Sequence, residues 1–186
     1  MSFSSSSKIS DLYIPNGIKL ILKEDDTVSS IGISVLYNVG SHDDPVGKKG
    51  MVGLQRFLME YSGSYGSMGY EDRNARLEEI TEESVSKHTY DLMYFSHSCS
   101  PRWLNEVLDI EAQRLANISI SEESLLRTRQ IMFEEGFEYY SEPQRRHNGY
   151  PENHPYKYNI FGDTTHVKSI SVDDAVGFRH RYINPN

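Results

Sequence analysis

The stretch "ISVLYNVGSHDDPVGKKGMVGLQRFLMEY", residues 33–61, decides how the chain is read. Its first part alternates. Ile31, Ile33, Val35 and Tyr37 fall every second residue against smaller or polar neighbours, which predicts a strand with one buried face. "GSHDDP" breaks that pattern. From Gly50 to Tyr61 the apolar residues return at helical spacing, and glycines follow. A strand leading through a loop into an apolar helix is a setting in which a helix often carries chemistry. Yet this helix has no histidine or cysteine, and its one acid is Glu60, near its end.

Elements on either side supply the class. Upstream, Asn16-Gly17 lies between β-prone runs in "DLYIPNGIKLILKEDD" and predicts a hairpin with a type I′ turn. Downstream, "SGSYGSMGYEDR" reads as a glycine-rich loop whose spacing is not that of a phosphate-binding motif. "NARLEEIT" reads as a short helix and "ESVSKHTYDLMYFSHSCS" as β-rich. "SPRWLNEVLDIEAQRLAN" predicts an amphipathic helix, with Ser100 as cap and Pro101 in its first turn. Its inner face, from Trp103 through Leu104, Val107, Leu108 and Ala112 to Leu115, is apolar except for Glu111. A further helix starts at the Ser121 cap with Glu122 and Glu123 in its first turn and Ile120 placed to staple onto Leu125. It runs through "SEESLLRTRQIMFEEGFEYY". "VDDAVGFRHRY", capped by Ser171, predicts the last helix. The fold class expected is α+β, a mostly antiparallel sheet with helices packed on one face.

Composition sets limits on function. At 186 residues and 37% hydrophobic content, the chain can bury a core. Residues 1–10, opening on "MSFSSSSK", read as a disordered lead-in, and 11–186 as one domain. A net charge of −8 argues against nucleic acid as partner. It suits a soluble acidic surface, or a cationic peptide. The single cysteine, Cys99, excludes an intrachain disulfide. No apolar run reaches the roughly 18 residues of a membrane span, and the N-terminus lacks a secretory h-region. The compartment stays open, and the cytoplasm or an organelle matrix is compatible with the sequence. "NIS" at 117–119 would be a glycosylation acceptor only in a secreted protein.

The order of these motifs resembles the M16 metallopeptidase family, with its LuxS-like domain, over nearly the whole chain. "IPNGIKLIL" resembles the family's opening strand pair. "ISVLYNVGSHDDPVGKKGMVGL" resembles its strand, its "GS-x-x-E-P" loop, with Asp44 in place of Glu, and the start of its active-site helix. "LDIEAQRLANISISEESLLRTRQIMFEE" resembles its paired helices, and "HPYKYNIFGD" with "VKSISVDDAVGFRHRYINPN" the segment that ends in "Y-x-P-N".

The resemblance implies a zinc site and shows it broken. Active members carry H-x-x-E-H on the first helix: two histidines one turn apart that bind zinc, and a glutamate that acts as general base. A third ligand, a glutamate, follows about eighty residues later. Aligned on Gly50-Met51, the two histidine positions hold Gly53 and Phe57, and the base position holds Arg56. The distal glutamate falls at Glu135, or at Glu134 with a slip of one, and an upstream acid of the family falls at Thr128. Gly53 and Phe57 offer no ligand atom, and an arginine cannot act as base at neutral pH. No catalytic or metal-binding residue is therefore expected, nor a zinc cofactor.

The other histidines, among them His97 of "HSC" and His147 and His154 of "HNGYPENH", do not pair at helical spacing. Arg56 is expected to pair with Glu135 or Glu134 across two helices, over the alternative of a solvated helix residue; Phe57 is expected to fill core or pocket; Gly53 is read either as allowing a close approach or as drift after loss of function. The tyrosine-rich tract "EYYSEPQRRHNGYPENHPYKY" is weighed as a peptide-binding surface against a loop packed on the domain.

The resulting expectation is a catalytically inactive M16 homologue that serves a peptidase complex as partner or peptide-binding subunit. The partner would be an active M16 subunit or further M16 domains of the same protein. Two alternatives stand beside it: an active zinc peptidase with a non-standard ligand set, and a scaffold like the core proteins of respiratory complex III. Family repeats continue with a closing strand and another helix, so the 186 residues are also expected to be part of a longer protein or to receive an edge strand from a partner.

Overall fold

In the computed structural model, residues 8–136, 149–151 and 154–184 are described. The opening hairpin pairs β1 (Ile9–Tyr13) with β2 (Lys19–Lys23). Strand β1 thus begins inside the expected lead-in. The turn is also not type I′, because no described residue other than glycine has a positive φ. Gly17 N–H donates to Ile14 O at 2.9 Å, and Ile14 N–H to Ile18 O at 3.0 Å, closing a three-residue loop. Pro15 presets φ near −65° for the first central position, and Gly17 takes the left-handed one at +88°. This hairpin pairs only within itself, and its strands lie almost wholly in solvent.

The main sheet has three antiparallel strands in the order β3-β7-β6. They are β3 (Ile31–Tyr37), β6 (Thr81–His88) and β7 (Met93–Cys99). The β-rich run 83–100 is therefore a hairpin. Thr89 makes the turn: its N–H donates to Leu92 O, and its Oγ1 accepts from the amides of Asp91 and Leu92. A lone Thr-Tyr-Asp without glycine or proline gives little warning of a turn. Between β3 and β6 the chain also makes a small ribbon, β4 (Ser64–Tyr65) with β5 (Met68–Gly69).

One face of the sheet is apolar and carries the helices. Ile33, Tyr37, Met93, Phe95 and Cys99 are buried there. The opposite face is polar: Ser34 Oγ meets Ser96 Oγ at 2.7 Å, and Ser30 and Ser98 donate to Glu82. This alternation gives the α+β class expected, with helices on one side.

Helix α1 (Met51–Tyr61) lies at the centre, and every residue from Met51 to Met59 is buried. Around it stand α2 (Tyr70–Ile80), α3 (Leu104–Ala116), α4 (Glu122–Glu135), α5 (Thr164–Ser169) and α6 (Val172–Tyr182). Three helices differ from expectation. Helix α2 starts at Tyr70, inside the presumed loop, with Glu71 and Asp72 in its first turn. Helix α3 is preceded by a 3₁₀ turn, Pro101–Trp103, and Ser100 makes no side-chain cap. Helix α5, capped by Asp163 onto the amides of Thr165 and His166, was not expected. Ser121 and Ser171 cap α4 and α6 as read.

Because α1 is buried on all sides, its ends cannot turn to water. The Asp44 carboxylate serves the N-terminus: Oδ2 accepts from Gly50 N–H at 2.6 Å and Oδ1 from Val52 N–H at 2.8 Å. Gly50 enters the helix with φ +98°, and a Cβ there would strike Phe161 O, so only glycine fits. Arg73 serves the other end. Fully buried on α2, it donates to the carbonyls of Ser62 (3.2 Å), Met59 (3.1 Å) and Glu60 (2.5 Å). Arg73→Ala is expected to lower unfolding free energy by about 3–5 kcal/mol in urea titration, since it orphans buried carbonyls and leaves a void. Asp44→Ala should cost about 1–2 kcal/mol in the same assay.

Candidate functional site

Gly53, Arg56 and Phe57 lie on the face of α1 that meets α4 and the β6 end of the sheet, and the space beside them is filled. A Cβ at Gly53 would stand 3.0 Å from the methyl of Met132 and 3.1 Å from His88 Nε2. The missing side chain is thus replaced by a thioether from α4 and an imidazole from β6. His88 is buried, its Nε2 is 3.1 Å from Ile160 O, and its ring packs edge-on to Phe161 at 4.9 Å. Burial, and then the charge of Arg56, push its pKa down to about 3, so the ring is neutral and Nε2–H donates to Ile160 O. Phe57 is fully buried between Tyr61, stacked at 5.9 Å, and Phe161 at 6.3 Å.

Arg56 is 6% exposed. Its Nη1 donates to Glu60 Oε2 at 2.6 Å and to Ser86 Oγ at 2.8 Å, and its carbon Cζ lies 3.6 Å from the Phe57 ring centre. Ser86 Oγ in turn donates to Glu60 at 2.7 Å. Glu135 Oε2 stands 3.8 Å from Nη2, an outer partner, and Glu135 Oε1 accepts from Tyr61 O–H at 2.6 Å. The short partner of Arg56 is therefore Glu60 on its own helix, four residues on. Glu134 is exposed and accepts from Gln130. Burial pulls the Arg56 pKa below its ordinary value, and Glu60 and Glu135 oppose that. Thr128, at the family's upstream acid, is buried, and its hydroxyl has no protein partner.

These residues do not fit a zinc ion. Two of the three helix positions lack a donor atom, the third is a fixed cation held by carboxylates, and Met132 and His88 fill the gap at Gly53. Among the described residues, no group of three or more His, Cys, Asp or Glu side chains could hold a metal. His154 has a local role: Nδ1 accepts from Tyr156 N–H, capping the 3₁₀ turn Pro155–Lys157. In the described part of the tyrosine-rich tract, Tyr156 packs on the domain, while Tyr150 and Tyr158 stay exposed. Tyr156 stacks on Tyr90 at 4.5 Å, and Tyr150 on His154 at 4.6 Å. Its remaining residues, His147 included, lie outside the described residues. No helix among those described is long and apolar enough to cross a membrane.

Ser86, His88, Met132 and Phe161 are parts of this site that sequence reasoning missed. Only Glu60 carried a readable signal, an acid four residues after an arginine on one helix. His88 gives a testable consequence. Unfolded, its imidazole takes a proton near pH 6.5, but folded only near 3. Between those values the unfolded state binds more protons, so stability is full above about 6.5 and falls as pH drops. The slope is at most about 1.4 kcal/mol per pH unit. Asp44 has the opposite sign, because burial pushes it up to about 7 against its two amide donors. His88→Gln isolates the histidine: the difference in unfolding free energy between wild type and variant should shrink from pH 7 to pH 4.5.

No family model matches the chain. A zinc protease of Helicobacter pylori, PqqE, is 23% identical over 190 residues, covering 96% of this chain and 41% of that protein. Among solved structures, an M16-like peptidase from Alicyclobacillus acidocaldarius superposes with a TM-score of 0.82 at 16% identity, over 100% of this chain and 45% of its own. A peptidase M16 inactive domain from Pseudomonas fluorescens gives 0.76 at 16% identity, over 92% of this chain and 42% of its own. The chain thus spans about two fifths of the length of the curated relative it matches. In sequence the chain is similar to a zinc protease, and its fold is similar to that of M16 peptidase domains.

Proposed function

We propose that this chain is an M16 domain without peptidase activity, which supports a peptidase as partner or peptide-holding unit and does not itself cut peptides. The observation that carries this reading is the α1 face. Gly53 and Phe57 have no donor atom, Arg56 is tied to Glu60, and Met132 and His88 occupy the adjoining space. The fold shared with a domain described as inactive supports it. The partner in this reading is an active M16 subunit or further M16 domains of the same protein. The ligand is an unstructured peptide, with cationic sequences favoured by the net charge of −8.

Zinc content and peptidase activity test the first half. Protein equilibrated with zinc and passed through gel filtration is expected to retain well under one equivalent by elemental analysis, and to leave an unstructured cationic peptide uncut. One zinc per chain, with cleavage lost in Glu135→Ala, would overturn the reading. For the second half, fluorescence anisotropy of the same labelled peptide is measured with the active partner alone and with the complex. Affinity that does not change when this chain is added would favour a scaffold.

A further inference from the structure

A second constellation lies beyond the C-terminal end of α1, in a cleft that shares Glu60 and Ser86 with the site above. Ser84 on β6 stands directly across from His97 on β7. Ser84 Oγ is 3.0 Å from His97 Nδ1, and His97 Nε2 is 3.0 Å from Glu111 Oε1 of α3. His97 and Glu111 are buried, whereas Ser84 is exposed. Ser84 and His97 both line a cleft of about 370 Å³.

The direction of the hydrogen bonds follows from charge. Burial raises the pKa of Glu111, but Arg114 and His97 outweigh it and hold the carboxyl below its ordinary value. Arg114 Nε donates to Glu111 Oε1 at 2.9 Å. An ionised carboxylate only accepts, so His97 Nε2 carries a proton, and in the neutral ring Nδ1 is the acceptor. The Ser84 hydroxyl then donates to Nδ1. A hydroxyl, a bare imidazole nitrogen and a carboxylate on the far nitrogen, in that order, are what activates a serine nucleophile. Nothing in this chain of contacts depends on a metal.

We propose that Ser84 is an acyl-accepting nucleophile, with His97 as its general base and Glu111 as the positioning residue that fixes the tautomer of His97. The cleft indicates the substrate class. Glu60, Glu78, Glu82 and Glu83 line it, with Arg114 the one cation among the residues of its wall. Glu60 is tied to Arg56, and an ester bearing positive charge suits the other three carboxylates. In the first step the Ser84 Oγ lone pair attacks the ester carbonyl carbon while its proton passes to His97 Nδ1. The tetrahedral adduct collapses, the C–O bond to the alcohol breaks, and the departing alkoxide takes that proton. Water, deprotonated by His97, then attacks the acyl-serine, releases the carboxylic acid and returns the proton to Ser84.

An alkyl fluorophosphonate probe reports the first step directly, because Ser84 Oγ would displace fluoride and gain the phosphonyl group. Intact-mass and peptide mass spectrometry of the 186-residue protein should find one adduct, on Ser84. Ser84→Ala should abolish it. Ser34→Ala should keep it, since Ser34 lies on the opposite face of the sheet and contacts Ser96. His97→Gln, with its fold checked by circular dichroism, should slow labelling by on the order of 100-fold or more, the share of a general base. An unlabelled Ser84 in the wild-type protein overturns the proposal. Labelling of equal rate in folded His97→Gln overturns it too. If His97→Gln does not fold, the decision rests on two comparisons: Ser84 labelled in the wild type against Ser84→Ala, and faster turnover of butyrylthiocholine than of neutral p-nitrophenyl butyrate.

Discussion

The structure depends on the burial of α1. A helix buried over all of Met51–Met59 gains a large apolar contribution but cannot leave its terminal amides and carbonyls to water. Asp44 meets the amides at one end and Arg73 the carbonyls at the other, each with a charge opposite to the helix dipole at that end. The elements that bring those charges are thereby fixed as well. Asp44 is held in its loop, where Lys49 Nζ donates to its carbonyl oxygen at 2.8 Å. The position of Arg73 sets where α2 must start and how it lies against α1.

This constraint explains how the α1 face can carry Gly53, Arg56 and Phe57 while the fold stands. The packing partners of α1 come from the sheet, α4 and the segment around Phe161, and none of them needs a metal in order to meet it. Phe57 adds ring area to the same apolar cluster that holds Met132 and Phe161. Arg56 is the costly member, since a buried guanidinium must recover its desolvation from partners. It does so with Glu60, Ser86 and the face of Phe57, and more weakly with half-exposed Glu135.

Local signals explain which parts of this were legible in the sequence. Alternation in β3, helical spacing in α1 and the Ser121 and Ser171 caps each sit within a few residues of chain, so they could be read. The β6–β7 turn could not, because Thr89 makes it with a side-chain hydroxyl where glycine or proline would usually mark it. Helix α2 was read short because the purpose of Tyr70–Arg73 is tertiary: Arg73 is in the helix to reach α1. The same holds for His88, whose place beside Gly53 is set by strand register and helix packing together. The i, i+4 spacing of Arg56 and Glu60 was local and legible, yet the family pattern drew attention to Glu135 instead.

Glu111, the one acid on the apolar face of α3, has a tertiary reason of the same kind. Along the inner face of β7, Met93 and Phe95 belong to one apolar cluster and Cys99 to another. His97 falls between them, and Glu111 and Arg114 reach it from α3. Arg114 also donates to Met59 O, one of the carbonyls that Arg73 holds. The two arginines repel, and burial with that repulsion lowers the Arg73 pKa to about 10, still well above neutral pH. What keeps both in place is Glu111 and the negative end of α1. A shift of β7 by one residue would turn His97 to the polar face and leave Glu111 with half its partners. The polar layer between the two apolar clusters therefore fixes the register of the sheet against α3. It does so with the same histidine and carboxylate that bring an imidazole nitrogen to Ser84.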